Sequence, residues 1–257
     1  MTTRRGAVSS GVIAALVFGA GVIFANATAG GRRPAMSADN DPEKVAALIA
    51  AVRNANPVLC ELAARGASWD GNWRGGDPGV PFGDRSAAVA DLVRFAASSP
   101  KGRDVIAPLR ATLGDPDPCV RRFGAPLLGR TQHEEAVEVL VTALRDANPV
   151  TRESAAVGLR FAEKPSTVEP LTRALGDQEA SVRAASAWAL GEIEDTRAIP
   201  SLERALKDAD ARVRINAAWA LGEIEDPAAI PALTAALRED RDPEVRKMAA
   251  WALGNIE

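Results

Sequence analysis

The sequence predicts an all-α fold: an α-solenoid of antiparallel helix pairs with a 31-residue period. Three apolar ladders carry this prediction. Leucine returns at Leu113, Leu144, Leu175, Leu206 and Leu237, and again at Leu109, Leu140, Leu171, Leu202 and Leu233. The third ladder is β-branched and runs Ile106, Val137, Val168, Ile199 and Ile230. Self-similarity at one fixed stride marks stacked supersecondary units, because a single unit cannot bury its apolar face alone. Composition agrees: Ala, Leu, Glu and Arg dominate and Tyr is absent, which favours helix. A chain of this kind presents a long surface to a partner rather than closing around a substrate.

From the N-terminus, residues 1–29 read as a targeting segment. Arg4 and Arg5 precede an uncharged, mostly apolar run from Gly11 to Ala25, followed by the small residues Ala25-Asn26-Ala27-Thr28-Ala29. This is the layout of a secretory signal peptide. The run has about 15 residues, fewer than the roughly 20 that span a bilayer. An uncleaved anchor over residues 8–25 and an incidental apolar helix remain open. No Cys follows the run, which argues against a lipoprotein anchor. The expected location is therefore outside the cytoplasm, periplasmic or extracellular. Residues 30–40 are small and polar and form a linker. Residues 41–83 form a helical cap: Asp41-Pro42-Glu43 starts one helix, with Asp41 as N-cap and Pro42 at the first helical position, and Asn56-Pro57 opens a second. A Gly-rich loop carrying Trp69 and Trp73 follows.

The array occupies residues 84–257, beginning with a degenerate unit whose first helix spans 84–98. Each unit has two segments. The first is clearest from Val213 to Ile224, where Val213, Ala217, Ala220, Leu221 and Ile224 share one helical face. It recurs at Val120-Arg121, Thr151-Arg152, Val182-Arg183, Val213-Arg214 and Val245-Arg246, the last step being one residue longer through an insertion near Glu239-Asp240. Trp188, Trp219 and Trp251 keep this register, while Pro126 and Val157 replace the indole in earlier copies. Pro126 is expected to bend or break its helix. The second segment is Ala229 to Leu237. Pro200 and Pro231 stand near the start of this helix, where a missing N–H costs little, and Asp195 and Asp226 are candidate caps.

Val-Arg-x-x-Ala-Ala-Trp-Ala-Leu-Gly-Glu-Ile-Glu-Asp, followed by Ala-Ile-Pro-x-Leu-x-x-Ala-Leu, resembles the HEAT repeat, and most closely the short bacterial form often called PBS-lyase-type. The resemblance implies an α-solenoid whose second helices line the concave face. It also implies that Asp115, Asp146, Asp177 and Asp208, with Arg121, Arg152, Arg183, Arg214 and Arg246, form a hydrogen-bonded ladder between repeats. Planar guanidinium and carboxylate can satisfy each other and the turn between them. An Arg stripe for phosphate is the alternative, and it is disfavoured because the arginines have acids in register.

No catalytic or cofactor constellation stands out. The one histidine, His133, is followed by Glu134. Deoxyhypusine hydroxylases, which share this repeat type, hold iron with several His-Glu pairs, and a single pair cannot build such a carboxylate-rich centre; a solvent-exposed His near a helix start is expected instead. Glu192, Glu194, Glu223 and Glu225 repeat with the array, which argues for solvated faces rather than a catalytic pair. The net charge of −3 shows no basic excess, so nucleic acid is a poor candidate partner. Cys60 and Cys119 form a disulfide if the chain is exported; two small buried thiols are the alternative. Trp188, Trp219 and Trp251 either pack between repeats or form an aromatic stripe for a protein partner. Leu253 and Ile256, at an uncapped edge, are either tolerated there or dock another chain. The reading that results is a non-enzymatic, exported protein–protein scaffold without metal or cofactor, touching a membrane only if residues 8–25 are retained. A lyase or oxidoreductase role, or accessory to one, is the alternative implied by related repeats.

Overall fold

The computed structural model describes residues 41–53 and 104–256, which belong to one compact unit, Asn40–Glu257. The targeting segment, the linker, the second cap helix, Trp69, Trp73, Cys60 and the helix expected over 84–98 lie outside the described residues.

Among the described residues every regular element is helical. Helix α1 (Asp41–Val52) comes first, and five second-segment helices then alternate with five first-segment helices. The second-segment helices are α2 (Ile106–Arg110), α4 (Glu134–Ala143), α6 (Val168–Ala174), α8 (Ile199–Ala205) and α10 (Ile230–Glu239). The first-segment helices are α3 (Pro118–Arg130), α5 (Pro149–Arg160), α7 (Ala180–Ile193), α9 (Ala211–Ile224) and α11 (Pro243–Asn255).

Local chemistry starts four of the five first-segment helices where the turn residues stand. Asp117, Asn148, Asp210 and Asp242 take an extended backbone and accept from the amide two residues on, capping α3, α5, α9 and α11. Proline occupies the first turn of α3, α5 and α11, where its missing N–H is one of the helix's orphan donors anyway. Asp195 and Asp226 cap as expected, each on a single 3₁₀ turn that leads into α8 or α10. Pro126 does not break α3: the helix runs through it to Arg130. All residues from Phe123 to Gly129 are buried, so packing holds this segment helical despite one lost backbone hydrogen bond.

The ladder residues form the core. Leu109, Leu140, Leu171, Leu202 and Leu233 are fully buried, each contributing roughly 1.5–3 kcal/mol of apolar burial. Ile106, Val137, Val168 and Ile199 are buried beside them, while Ile230, on the last second-segment helix, is 39% exposed. Helix α1 packs on α2 and α3 and buries Val45 and Val52.

The two rows of helices pack differently. First-segment helices lie tightly against one another from unit to unit, whereas each second-segment helix chiefly touches the first-segment helix that follows it in the chain. The cause is residue size. Ala187, Ala189, Ala217, Ala218, Ala220, Ala249 and Ala252 are all fully buried in the first-segment row. A Cβ placed on Gly191 would stand 2.6 Å from Cζ3 of Trp219 and 2.8 Å from Cα of Ala220; on Gly222 it would stand 2.8 Å from Cα of Ala252.

This gives a paired prediction. Gly191→Ala must displace backbone and is expected to destabilise by about 2–3 kcal/mol in chemical denaturation. Gly254→Ala, where a Cβ meets nothing within 4 Å, is expected to be neutral or stabilising by up to about 0.5 kcal/mol.

Candidate interaction surface

The polar ladder is built from a repeated turn. In each turn the Asp accepts from the amide two residues on: Asp146 from Asn148, Asp177 from Glu179, Asp208 from Asp210 and Asp240 from Asp242, at 2.8–2.9 Å. The Arg six residues after that Asp folds back onto the same turn. Arg183 Nη1 donates to the carbonyls of Asp177 and Gln178 at 2.8 and 3.0 Å. Its other edge reaches the next unit, where Nε and Nη2 engage both oxygens of Asp208 at 2.7 and 2.8 Å. Arg152 does the same with Asp177, and Arg214 with Asp240. The Arg of one unit therefore pairs with the Asp of the following unit. Planar guanidinium and carboxylate give this fork-to-fork geometry its strength.

Three positions depart from the ladder expected from the sequence. Among the described residues Arg121 binds only the carbonyls of its own turn, Asp115 and Pro116, and does not reach Asp146; nothing in the structure explains the gap. Asp115 is instead held by Arg53, just after α1, with contacts of 2.6 and 3.1 Å. Asp240 continues the ladder after the one-residue insertion, and Arg246 binds the Asp240 carbonyl. Arg53 and Asp240 sit outside the 31-residue spacing, which is why periodicity alone misses them.

A second repeated feature lies on α7, α9 and α11. Each carries an indole, and the residue four positions on shares its helical face: Trp188 with Glu192, Trp219 with Glu223, Trp251 with Asn255. Trp219 and Trp251 lie over Gly191 and Gly222 of the preceding helix, and Trp188 meets Trp219 edge-on with ring centroids 6.4 Å apart. The indoles therefore pack between units and also keep a solvent face: Trp188 is 37% exposed and Trp251 40%, with Trp219 half-buried. Position 160, equivalent to Gly191 and Gly222, holds an arginine. The Arg160 guanidinium lies 3.8 Å from the Trp188 ring centroid and donates from Nε to Glu192 at 2.8 Å. Phe161 is flanked by Arg130 and Arg160, each 4.6 Å from its centroid.

Downstream of Arg160 this face is acidic. Glu223 has no ion pair among the described residues. Its burial, with Glu192, Glu194 and Glu225 nearby, pushes its carboxyl above the ordinary range, so it is not the freely solvated side chain that repetition suggested. Glu194 and Glu225 are exposed and take the left-handed conformation that ends α7 and α9, at φ 54°. Glu163 and Gln132 take it one and two units before Glu194. A non-glycine residue there costs about 1 kcal/mol, and a run of glutamate gives no turn signal in the sequence.

Other expected sites divide. Leu253 is half-buried, but Ile256 is buried and offers no exposed surface. Cys119 is buried at the start of α3 and disulfide-bonded; Cys60 lies outside the described residues. His133 is half-buried rather than exposed, with Nε2 enclosed. Among the described residues no group of three His, Cys, Asp or Glu side chains is placed to hold a metal ion, and no helix is long and apolar enough to cross a membrane. The splayed row leaves open grooves of about 300 and 260 Å³ beside α4; the larger is lined by Val141, Leu144, Arg145, Pro170, Arg173 and Asp177, an ordinary surface set.

The stacked pairs and their Arg–Asp turns define a helical-repeat solenoid. The sequence model for HEAT repeats matches residues 82–160, 106–190, 140–211 and 168–254, and the chain belongs to the HEAT-repeat family. No curated protein matches it significantly. Among solved structures, the complex of CpcE and CpcF of phycocyanin lyase from Nostoc sp. PCC7120 is similar at 24% identity and TM-score 0.53, covering 57% of this chain and 96% of that one. An engineered protein is similar at 24% identity and TM-score 0.49, covering 84% and 96%. At this identity the likeness is one of fold.

Two predictions follow from the ladder and the acidic face. Arg183→Ala strands the Asp208 carboxylate and two turn carbonyls in a largely buried place and is expected to cost about 2–4 kcal/mol. Arg173→Ala, which removes an exposed pair with Glu169, should cost less than about 0.5 kcal/mol. The second concerns pH. Arg152 and Arg183 hold Asp177 and Asp208 below the ordinary 3.8. Burial raises Asp240, and the hydrogen bonds from Arg214 and the Asp242 amide outweigh it, so it too is lowered. Arg212 brings Asp210 down to about 2. Depressed carboxylates add stability that is complete above their unfolded pKa and lost as pH falls through the folded values, so melting temperature should fall from about pH 4 toward pH 2. Glu223 has the opposite sign: its charge is a cost that is relieved as pH falls through its raised pKa to the ordinary 4.5. Glu223→Gln should raise Tm by about 1–2 °C at pH 7 and leave it unchanged at about pH 3.5.

Proposed function

We propose that this chain is a non-enzymatic protein–protein interaction scaffold that works outside the cytoplasm. One observation carries the reading. The polar side chains that repeat with the array are largely consumed in turns and ion pairs between units, while two of the three large apolar side chains left open to solvent, Trp188 and Trp251, are aromatic and lie on the closely packed row, the third being Ile230 on α10. Partly exposed tryptophans with charged neighbours are the residues from which protein interfaces draw most of their binding energy. The similar phycocyanin lyase structure is itself a complex of two chains, in keeping with a fold that works by association. A lyase or oxidoreductase role rests on likeness of fold alone, and no arrangement among the described side chains favours it.

Export is supported by the layout of residues 1–29 and by the oxidised state of Cys119, because protein disulfides persist in oxidising compartments. Its partner in the bridge is taken to be Cys60, the chain's other cysteine.

Affinity purification from the native envelope fraction, with mass-spectrometric identification, is expected to recover a stoichiometric protein partner and a preparation with no visible absorbance band. A bound bilin or iron chromophore would overturn the non-enzymatic reading. N-terminal sequencing of the native protein is expected to start after Ala27 or Ala29. Neither cysteine should react with an alkylating reagent until the protein is reduced; prompt alkylation would remove the disulfide from the case for export.

A further inference from the structure

The tryptophan face contains an internal example of its own ligand. Arg160 lies flat on Trp188, 3.8 Å from the ring centroid, while its Nε donates to Glu192 at 2.8 Å. A guanidinium is thus clamped between an indole face and a carboxylate four residues further along the same helix. The stem reaches there from the end of α5, and the pair is largely shielded from solvent. Stacking on an aromatic face and forked hydrogen bonding to a carboxylate are what set arginine apart from lysine.

One unit later the receiving groups repeat and the guanidinium does not. Trp219 and Glu223 keep the four-residue spacing on α9, but position 191 is glycine, so α7 supplies no cation. Among the described residues Glu223 has no ion-pair or hydrogen-bond partner. Glu194 and Glu225 are exposed beside it and likewise lack a cation among the described residues, and Trp188 closes one side through its edge-on contact with Trp219. Trp251 extends the aromatic row with Asn255 in place of the glutamate, so the charge is concentrated at the middle unit.

We propose that the face formed by Trp188, Trp219, Glu223, Glu194 and Glu225 binds an arginine-bearing peptide segment of a partner protein, with a partner guanidinium meeting Trp219 and Glu223 as Arg160 meets Trp188 and Glu192. The proposal rests on the scaffold reading and specifies the partner's chemistry. The unmatched, partly desolvated carboxylate is complementary to a cation and unsuited to an acidic or purely apolar segment. Burial first, and then the nearby Glu192, Glu194 and Glu225, raise the Glu223 carboxyl, in keeping with a negative group that lacks a cation among the described residues.

The test uses the intact purified chain and a short peptide alternating arginine and alanine, with tryptophan fluorescence as readout. Saturable quenching is expected, weakening as salt is added. A peptide alternating glutamate and alanine should not bind, and one alternating lysine and alanine should bind at least about threefold more weakly. Glu223→Gln keeps the side chain's shape and sheds a repelled charge, so it folds; it should weaken the arginine peptide about tenfold. Absence of saturable binding, equal affinity of the lysine peptide, or unchanged affinity of Glu223→Gln would each overturn the site. A native partner captured from the envelope fraction whose binding survives Glu223→Gln would overturn this site and leave the scaffold reading standing. Failure of both capture and peptide binding would remove both.

Discussion

Where α7, α9 and α11 meet, alanine and glycine let one backbone approach the next, and an indole from the following helix lies over the gap. That close approach is the constraint on which the rest depends. It packs the first-segment helices closely from unit to unit and leaves each second-segment helix attached mainly to the first-segment helix that follows it. It also explains why glycine sits at 191 and 222: the Trp219 and Trp251 rings and the Ala220 and Ala252 backbones occupy the space where a side chain would stand. Apolar burial supplies the driving force, and small residues decide the spacing at which it is collected.

Spacing alone does not set register, because a smooth surface of alanines can slide. The Arg–Asp turns supply it. Each central arginine binds the carbonyls of its own turn and the carboxylate of the next, so a displaced unit would strand a charge and two carbonyls together. Ion pairs of this burial add little net energy relative to apolar replacements, yet removing one member is expensive. Their value here is positional: they penalise every stacking but one.

Once core and ladder are committed, little of the repeated sequence is free to vary without cost, and individuality is confined to a few outward positions. Position 160 is arginine where its equivalents are glycine, and the turns after α7 and α9 carry glutamate in a left-handed conformation that glycine would adopt with less strain. Such locally unfavourable choices mark places where stability has been traded for another property, and here they concentrate negative charge beside the exposed tryptophans.

Much of this was legible in the residues. The apolar ladders, the helix pairs, the caps at Asp195 and Asp226 and the prolines at helix starts follow from local chemistry and periodicity, which act over a few residues and repeat. The direction of pairing did not follow: Arg183 is six residues from Asp177 and 25 from Asp208, and both spacings fit the same period. Arg53 replaces a repeat arginine from outside the pattern, and Pro126 stays helical because its neighbours are buried on every side. Which row packs closely, which face of an indole is covered and which glutamate lacks a cation are decided between units. Sequence by itself determined a stack of helix pairs, because periodic burial leaves no other solution; only tertiary packing decided how successive pairs lock and what they leave exposed, because those outcomes depend on contacts some 25–32 residues apart.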